Sequence, residues 1–218
     1  MKQLNNLNHI YIRTISAGVI FFILCAFLYI GGIFFNMLQC FLTGYMINEV
    51  ISIKKNKPYF YITCIKILFI IYILLSMWLF LKLYNEYDYK YVLFITAVVS
   101  FNDTGAFFIG SWLKGPKLLS FISPNKTWSG LLGGIFFSMI GCMIILKFTN
   151  ITFNFSAPQL LFLCLTSHTG DLLQSLFKRQ MHVKDMGDII PGHGGILDRL
   201  DSVLLVNYAM YVLLRHCP

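Results

Sequence analysis

The stretch S-L-F-K-R-Q-M-H-V-K-D-M-G-D-I-I-P-G-H-G-G-I-L-D-R-L-D, residues 175–201, decides how the chain is read. It gathers charge in a sequence that has little. The chain holds nine Asp and Glu residues in 218, and Asp185, Asp188, Asp198 and Asp201 all lie here. Asp171 stands four positions before Ser175, and Lys178, Arg179, Lys184 and Arg199 are threaded between the acids. Alternating carboxylates and cations suit a place where a metal ion meets phosphate, since acids hold the metal and bases hold the anion. Gly187, Pro191, Gly192, Gly194 and Gly195 exclude a long helix and let backbone N–H groups approach an anion. His193, inside that run, is open to three readings: a ligand, a base, or a loop hydrogen-bond donor.

Outward from this segment the sequence is apolar. Hydrophobic residues make up 57% and charged residues 12%, against roughly 45–50% and 25% in an ordinary soluble domain. With a mean hydropathy of +0.71, the composition excludes a soluble core and implies an integral membrane protein. The formal charge of +8 is spread over short loops and forms no continuous stripe. Nucleic acid is therefore not expected as a partner, and a positive-inside bias accounts for the excess. Cys25, Cys40, Cys64, Cys142, Cys164 and Cys217 show no C-x-x-C spacing, and five of them fall in apolar runs. They read as small apolar side chains rather than metal or disulfide partners. The apolar run after residues 1–13 lacks a small-residue cleavage pattern, so a retained first span is expected.

A helical span needs about 20 apolar residues, and seven such runs are expected. They cover about 14–29, 34–51, 62–83, 91–110, 128–148, 158–177 and 196–214. Gly31 and Gly32 mark a short turn between the first two, Lys66 snorkels at the start of the third, and Asn102 and Asp103 interrupt the fourth. An N-terminus inside puts Lys2, Arg13, Lys54, Lys55, Lys57, Lys66, Lys114, Lys117, Lys126, Lys178, Arg179, Lys184 and Arg199 on the cytoplasmic side. Only Lys82, Lys90, Lys147 and Arg215 fall outside, 13 against 4 of the 17 basic residues. That asymmetry sets the orientation, and the polar loops 111–128 and 178–196 then face the cytoplasm. The fold class expected is an all-α integral membrane protein of about seven transmembrane helices with a cytoplasmic-facing polar site. A single polytopic domain over residues 1–218 is expected, with N-terminal helices over about 14–83 and a catalytic half over about 91–218.

Asp171 falls within the sixth span, where a carboxylate costs about 2.5–3.5 kcal/mol to insert and is usually paired and functional. Asp171, Ser175, Lys178 and Arg179 are spaced by three and four, so one helix face carries an acid, a hydroxyl and two cations. Asp198 and Asp201 open the seventh span. A favourable interaction with the helix dipole covers Asp201 well and Asp198 less well. Asp171 and Asp198 end two helices joined by one loop and can converge, and two carboxylates so placed call for a divalent cation between them. Oxygen-only ligands beside phosphate point to magnesium over zinc. A second polar segment holds Asp103, near membrane depth, and Lys126 and Thr127, just before the fifth helix where N–H groups favour an anion. The run from Gly110 to Lys117 lacks the G-K-[ST] ending and the preceding strand of a phosphate-binding loop, and is not one.

These residues resemble a known family. Ser175-x-x-Lys178-Arg179, Lys184-Asp185-x-Gly187, Pro191-Gly192-His193-Gly194-Gly195 and Leu197-Asp198-Arg199-x-Asp201 are similar to the signature of the phosphatidate cytidylyltransferases, or CDP-diacylglycerol synthases. Asp103-Thr104-x-Ala106, Gly110 and Ser123-Pro124-x-Lys126-Thr127-Trp128 resemble that family's other shared stretch, and Arg13-x-x-Ser16 its usual opening. Two positions depart: Ser129 stands where the family has an acid and Phe107 where it has Tyr. The chain is also short for the family, with a reduced N-terminal half.

The resemblance implies transfer of the cytidylyl group of CTP to phosphatidic acid, giving CDP-diacylglycerol and pyrophosphate for phospholipid biosynthesis. It implies dependence on Mg2+ and work at the cytoplasmic face of the plasma (inner) membrane, by a homodimer. Asp171 and Asp198 would sit in the cation site with Asp185 in or beside it, and Lys178 and Arg179 would join them as catalytic groups. Substrate contacts are expected from Ser175, Lys178, Arg179, Lys184, His193, Arg199, Lys126, Thr127 and Asp103. Two other readings remain: a CTP-dependent lipid kinase that moves the γ-phosphoryl group, and an ion-coupled transporter built on Asp103 and Asp171. A CDP-alcohol phosphatidyltransferase is disfavoured because no D-G-x-x-A-R element precedes any G-x-x-x-D-x-x-x-D.

Overall fold

A computed structural model describes residue 19 and residues 22–53, 60–149, 151, 153–189 and 194–216. Helical residues 22–30 form α1. Gly31, at φ 68°, ends it, its N–H donating to Phe27 O at 2.9 Å, and Gly32, at φ 55°, opens the next helix. Two successive left-handed residues are cheap only for glycine, so the expected turn is present. The remaining helices are α2 (Gly32–Ser52), α3 (Phe60–Glu86), α4 (Tyr89–Leu113), α5 (Trp128–Thr149), α6 (Ala157–Gln180) and α7 (Leu197–His216). The described residues fall into two compact units, Met1–Leu74 with Met181–Leu200, and Leu75–Gln180 with Asp201–Pro218.

Local chemistry sets these boundaries. Lys66 Nζ, from α3, donates to Ile51 O at 3.4 Å and Ile53 O at 2.6 Å. It thereby puts a cation on the carbonyls that end α2, where the helix dipole favours positive charge. Asp88 accepts from Lys90 N at 3.3 Å and opens α4. Ser156 N donates to Gln159 Oε1 at 2.8 Å, one half of a capping box, with Pro158 in the first turn of α6.

Two expectations are corrected. The fourth helix is continuous through Asn102 and Asp103. Asn102 is buried and donates from Nδ2 to Cys164 O at 3.4 Å, so its amide finds a partner on α6 without opening the α4 backbone. The polar loop before α5 contains an antiparallel hairpin, β1 (Lys117–Leu119) and β2 (Ser123–Thr127), paired Lys117 with Thr127 and Leu119 with Ser123.

Three helices, α3, α4 and α5, are long and apolar enough to cross a membrane, among the described residues. Their outward side chains are large and apolar, with Leu68, Phe107, Trp112, Leu132 and Phe136 well exposed. Such a surface is stable in lipid and not in water, and the chain is a membrane protein. Helices α2, α6 and α7 are 21, 24 and 20 residues long but carry the polar side chains.

In the second unit, α4 and α5 meet along a seam of glycines. A Cβ at Gly133 would stand 2.3 Å from Ile109 Cβ, and one at Gly141 2.3 Å from the Phe101 ring. Small residues of this kind let helix backbones approach where no hydrophobic effect drives them together. Ser138 Oγ donates to Val98 O at 2.9 Å across the same pair. Ser76 Oγ donates to Leu204 O at 2.7 Å and accepts from Asn207 Nδ2 at 3.1 Å, linking α3 to α7.

Candidate active site

The second unit contains a cavity of about 220 Å³ whose polar wall is Asp103, Asn125, Lys126, Thr127, His168 and Asp171. The hairpin supplies Lys126 and Thr127 to it. Thr127 Oγ1 accepts from Gly130 N at 3.1 Å and so caps α5, which fixes Lys126 immediately before that helix. Ser129 Oγ hydrogen-bonds to Lys114 O and lies 3.0 Å from Thr127 Oγ1, closing the base of the hairpin. Lys126 Nζ then reaches Asp171 Oδ2 at 2.6 Å. Both side chains are partly shielded, at 21% and 32% exposure, so the pair is screened less than one at an open surface.

Helix α6 runs through Gln180, which makes Asp171, Ser175, Lys178 and Arg179 one continuous helical stripe. Ser175 Oγ lies 3.4 Å from Asp171 Oδ1. Arg179 Nε donates to Ile122 O at 3.1 Å and thereby holds the turn of the hairpin. One turn before Asp171 on the same helix, His168 is buried against the cavity. Gly134 makes room for it: a methyl there would stand 2.7 Å from both His168 Nε2 and Asn102 Oδ1.

Gly170 lets α7 come close to α6. A Cβ at that position would lie 3.0 Å from Asp201 O and 3.1 Å from Ser202 Cα. Asp201 is consequently in the electrostatic field of Asp171 and Asp103, and of the Lys178 cation. Position in the helix suggests only a dipole role for Asp201; the packing puts it beside the acids of the cavity.

The first unit holds the rest of the charged segment. Asp198 Oδ2 accepts from Met186 N at 2.8 Å and Gly195 N at 3.1 Å, so this buried carboxylate draws together the two arms of the glycine-rich segment. Gly194, at φ 83°, is required there, because a Cβ would also stand 3.0 Å from Asp198 Oδ2. Asp185 lies close by, with its Cβ 3.6 Å from the same point. Lys184, Asp185 and Arg199 are exposed. His193, Pro191, Gly192 and the basic cluster Lys54, Lys55 and Lys57 lie outside the described residues.

A group that the sequence reading missed completes this unit. Glu49 of α2 is 5% exposed and accepts from Ile196 N at 2.8 Å on Oε1 and from Leu197 N at 2.9 Å on Oε2. Its position in an apolar span is a signal in the sequence, since an acid there is expected to have a specific partner.

The donors present suit magnesium. Asp171, Asp185 and Asp198, the carboxylates assigned to a cation, offer oxygen alone. Among the described residues no three His, Cys, Asp or Glu side chains close around one point. Magnesium takes one or two carboxylates and completes its shell with water and substrate phosphate, so such a set fits it.

The model of the cytidylyltransferase family matches residues 59–217. The chain belongs to the cytidylyltransferase family. The match takes in the cavity, the α6 stripe and the glycine-rich segment, and it begins after Glu49. The chain is 39% identical over 129 residues to the phosphatidate cytidylyltransferase of Brucella suis biovar 1 (strain 1330), covering 59% of this chain and 48% of that protein. It is 35% identical over 173 residues to the phosphatidate cytidylyltransferase of Staphylococcus aureus (strain COL), covering 78% of this chain and 66% of that protein. The aligned part thus spans about half the length of the Brucella relative. Within this family member, Asp103, Lys126, Thr127 and Asp171 line one cavity, with Ser175 against Asp171. Asp185 and Asp198 belong to the separate glycine-rich segment of the first unit.

Proposed function

We propose that this chain transfers the cytidylyl group of CTP to phosphatidic acid, forming CDP-diacylglycerol and releasing pyrophosphate. The observation that carries the reading is the Lys126–Asp171 pair at 2.6 Å in the wall of a polar cavity in a membrane protein of this family. A cation held by an acid beside a helix N-terminus is a receptor for phosphate. A docking phosphate competes with Asp171 for the Lys126 ammonium.

In the reaction, an oxygen of the lipid phosphate attacks the α-phosphorus of CTP. A new P–O bond forms, the bond from the α-phosphorus to the bridging oxygen breaks, and pyrophosphate leaves with that electron pair. The phosphate monoester is already a competent nucleophile, so no strong base is needed, and His193 has an orienting role. Both reactants are anions, so the barrier is mainly repulsion and alignment. Lys126, Lys178, Arg179, Lys184 and Arg199 supply charge to the phosphates, with one or more of them on the lipid headgroup. Ser175, Thr127 and Asp103 orient the bound substrates. Asp171, Asp185 and Asp198 are the carboxylates proposed as Mg2+ ligands, and the ion, when bound, would screen the triphosphate and stabilise the departing pyrophosphate.

The same proposal has α2, α6 and α7 crossing the membrane with the three more apolar helices, seven spans with α1. The excess of Lys and Arg supports a site on the cytoplasmic side of the plasma (inner) membrane. Two copies pair as a homodimer, and each chain works as one polytopic domain.

The test uses purified full-length protein, phosphatidic acid in vesicles, magnesium, and CTP labelled either in cytosine or in the γ-phosphate. Cytosine label entering lipid is the expected result. The γ-label entering lipid instead would identify a CTP-dependent lipid kinase, and no label in lipid from either position would overturn both.

A further inference from the structure

Glu49 comes from the apolar N-terminal half, before the residues that the family model matches, yet it terminates on the charged segment. Both of its oxygens are used: Oε1 by Ile196 N at 2.8 Å and Oε2 by Leu197 N at 2.9 Å. Of these two N–H groups at the start of α7, that of Leu197 is buried and that of Ile196 half-buried, and without Glu49 both would lose this partner, which helix termini do not tolerate well. The segment is also shaped to receive this carboxylate. A Cβ at Gly195 would stand 2.6 Å from Oε1 and 2.7 Å from Oε2, and one at Gly187 would stand 2.9 Å from Oε1. Both arms of the glycine-rich segment therefore close on one side chain.

Glu49 is linked to Asp198 by a short path. Gly195, seated on Glu49, donates its N–H to Asp198 Oδ2, and Met186, next to Gly187, donates to the same oxygen. Asp185 is the residue before Met186. We infer that Glu49 is a positioning residue: it clamps Gly187 and the start of α7 so that Asp185 and Asp198 are held in one fixed arrangement. The role rests on the proposed cytidylyl transfer, since it acts through the two carboxylates assigned there. Glu49 itself touches no reacting atom in this scheme. Two carboxylates that must meet a cation and a triphosphate lose rate steeply when misplaced by about 1 Å.

The test uses the full chain in detergent with Glu49→Gln, which keeps the shape but turns one acceptor into a donor facing a backbone N–H. Hydrogen exchange at residues 186–189 and 194–197 is one readout, and steady-state transfer from CTP to phosphatidic acid is the other. The expected result is faster exchange confined to those residues and a kcat lowered on the order of tenfold or more, with KM values for both substrates within about twofold. Gly195→Ala, which invades the same seat from the opposite side, should reproduce both effects. In the Glu49→Ala background the added methyl of Gly195→Ala has room, so its further effect should be much smaller than in the wild type. Unchanged exchange in Glu49→Gln, or faster exchange with unchanged kcat, overturns the inference. So does full additivity of the two substitutions. Should the wild-type protein transfer no cytidylyl group, the proposed function falls by itself, and the exchange and additivity results still decide whether Glu49 is the clamp.

Discussion

Lys126 Nζ and Asp171 Oδ2 are 2.6 Å apart, and they come from elements of different kinds: the end of a two-stranded hairpin and the middle of α6. Their pairing docks the hairpin on the helix. Under the proposed function, the same contact would join the cation for a phosphate to the carboxylate for a metal. Asp171→Asn keeps the size of the side chain and removes its charge. Transfer of cytosine label into lipid should fall by about a hundredfold or more, while the yield of folded protein in detergent stays near normal. Turnover within about threefold of wild type would remove Asp171 from the reaction.

Asp198→Asn should abolish CTP-dependent lipid labelling while the protein still inserts and folds. The asparagine oxygen can still accept from Met186 and Gly195, so the local backbone keeps its partners while the charge is lost. Near-normal turnover at ordinary magnesium concentrations would exclude Asp198 from the cation site.

Arg179→Ala removes both a charge proposed to clamp phosphate and the bond from Nε to Ile122 O. Substrate binding should weaken more than folding does: a KM for CTP or phosphatidic acid raised about tenfold, with little change in thermal denaturation. Lys178→Ala should act in the same direction. Unchanged Michaelis constants for both substrates would rule out the phosphate-clamping role.

Magnesium removal is a direct test of the carboxylates as a set. Chelation should eliminate transfer, and added magnesium should restore it, with zinc a poor substitute at oxygen-only ligands. Full activity in chelator would exclude the metal assignment.

Gly134→Ala should destabilise the protein by about 1–3 kcal/mol, because the added methyl meets His168 Nε2 and Asn102 Oδ1 at 2.7 Å. Thermal denaturation in detergent would register it as a lowered midpoint. An unchanged midpoint would mean that the two polar side chains move aside without cost.

Much of the helical layout was legible, because length and hydropathy alone specify a membrane helix. The expected third span, about 62–83, lies inside α3, and the fifth, about 128–148, nearly coincides with α5. The break at Asn102 and Asp103 was not real: a polar residue in a span signals a partner, and Asn102 has one on α6. The hairpin was missed because its two short strands carry no alternating apolar pattern and pair mainly with each other. For the site, helical spacing gave the α6 stripe correctly, since three- and four-residue steps share a face. Spacing says nothing about which helices approach, so it left Asp201 beside nothing. Only Gly170, by admitting α7, reveals its neighbours. Glu49 was overlooked for a related reason: its partners are backbone N–H groups 147 and 148 positions away, and no local motif announces them.

The glycine seam between α4 and α5 has a consequence for how this protein can change over evolutionary time. Gly133 and Gly141 face neighbours so near that no larger residue fits without displacing them. Phe136 and Leu132, on the same helix, are open to whatever surrounds the bundle. Substitutions can therefore accumulate on the outer face, retuning the protein to membranes of different thickness or fluidity, while the inner face stays frozen. The α4–α5 contact is thereby insulated from the lipid that the protein inhabits.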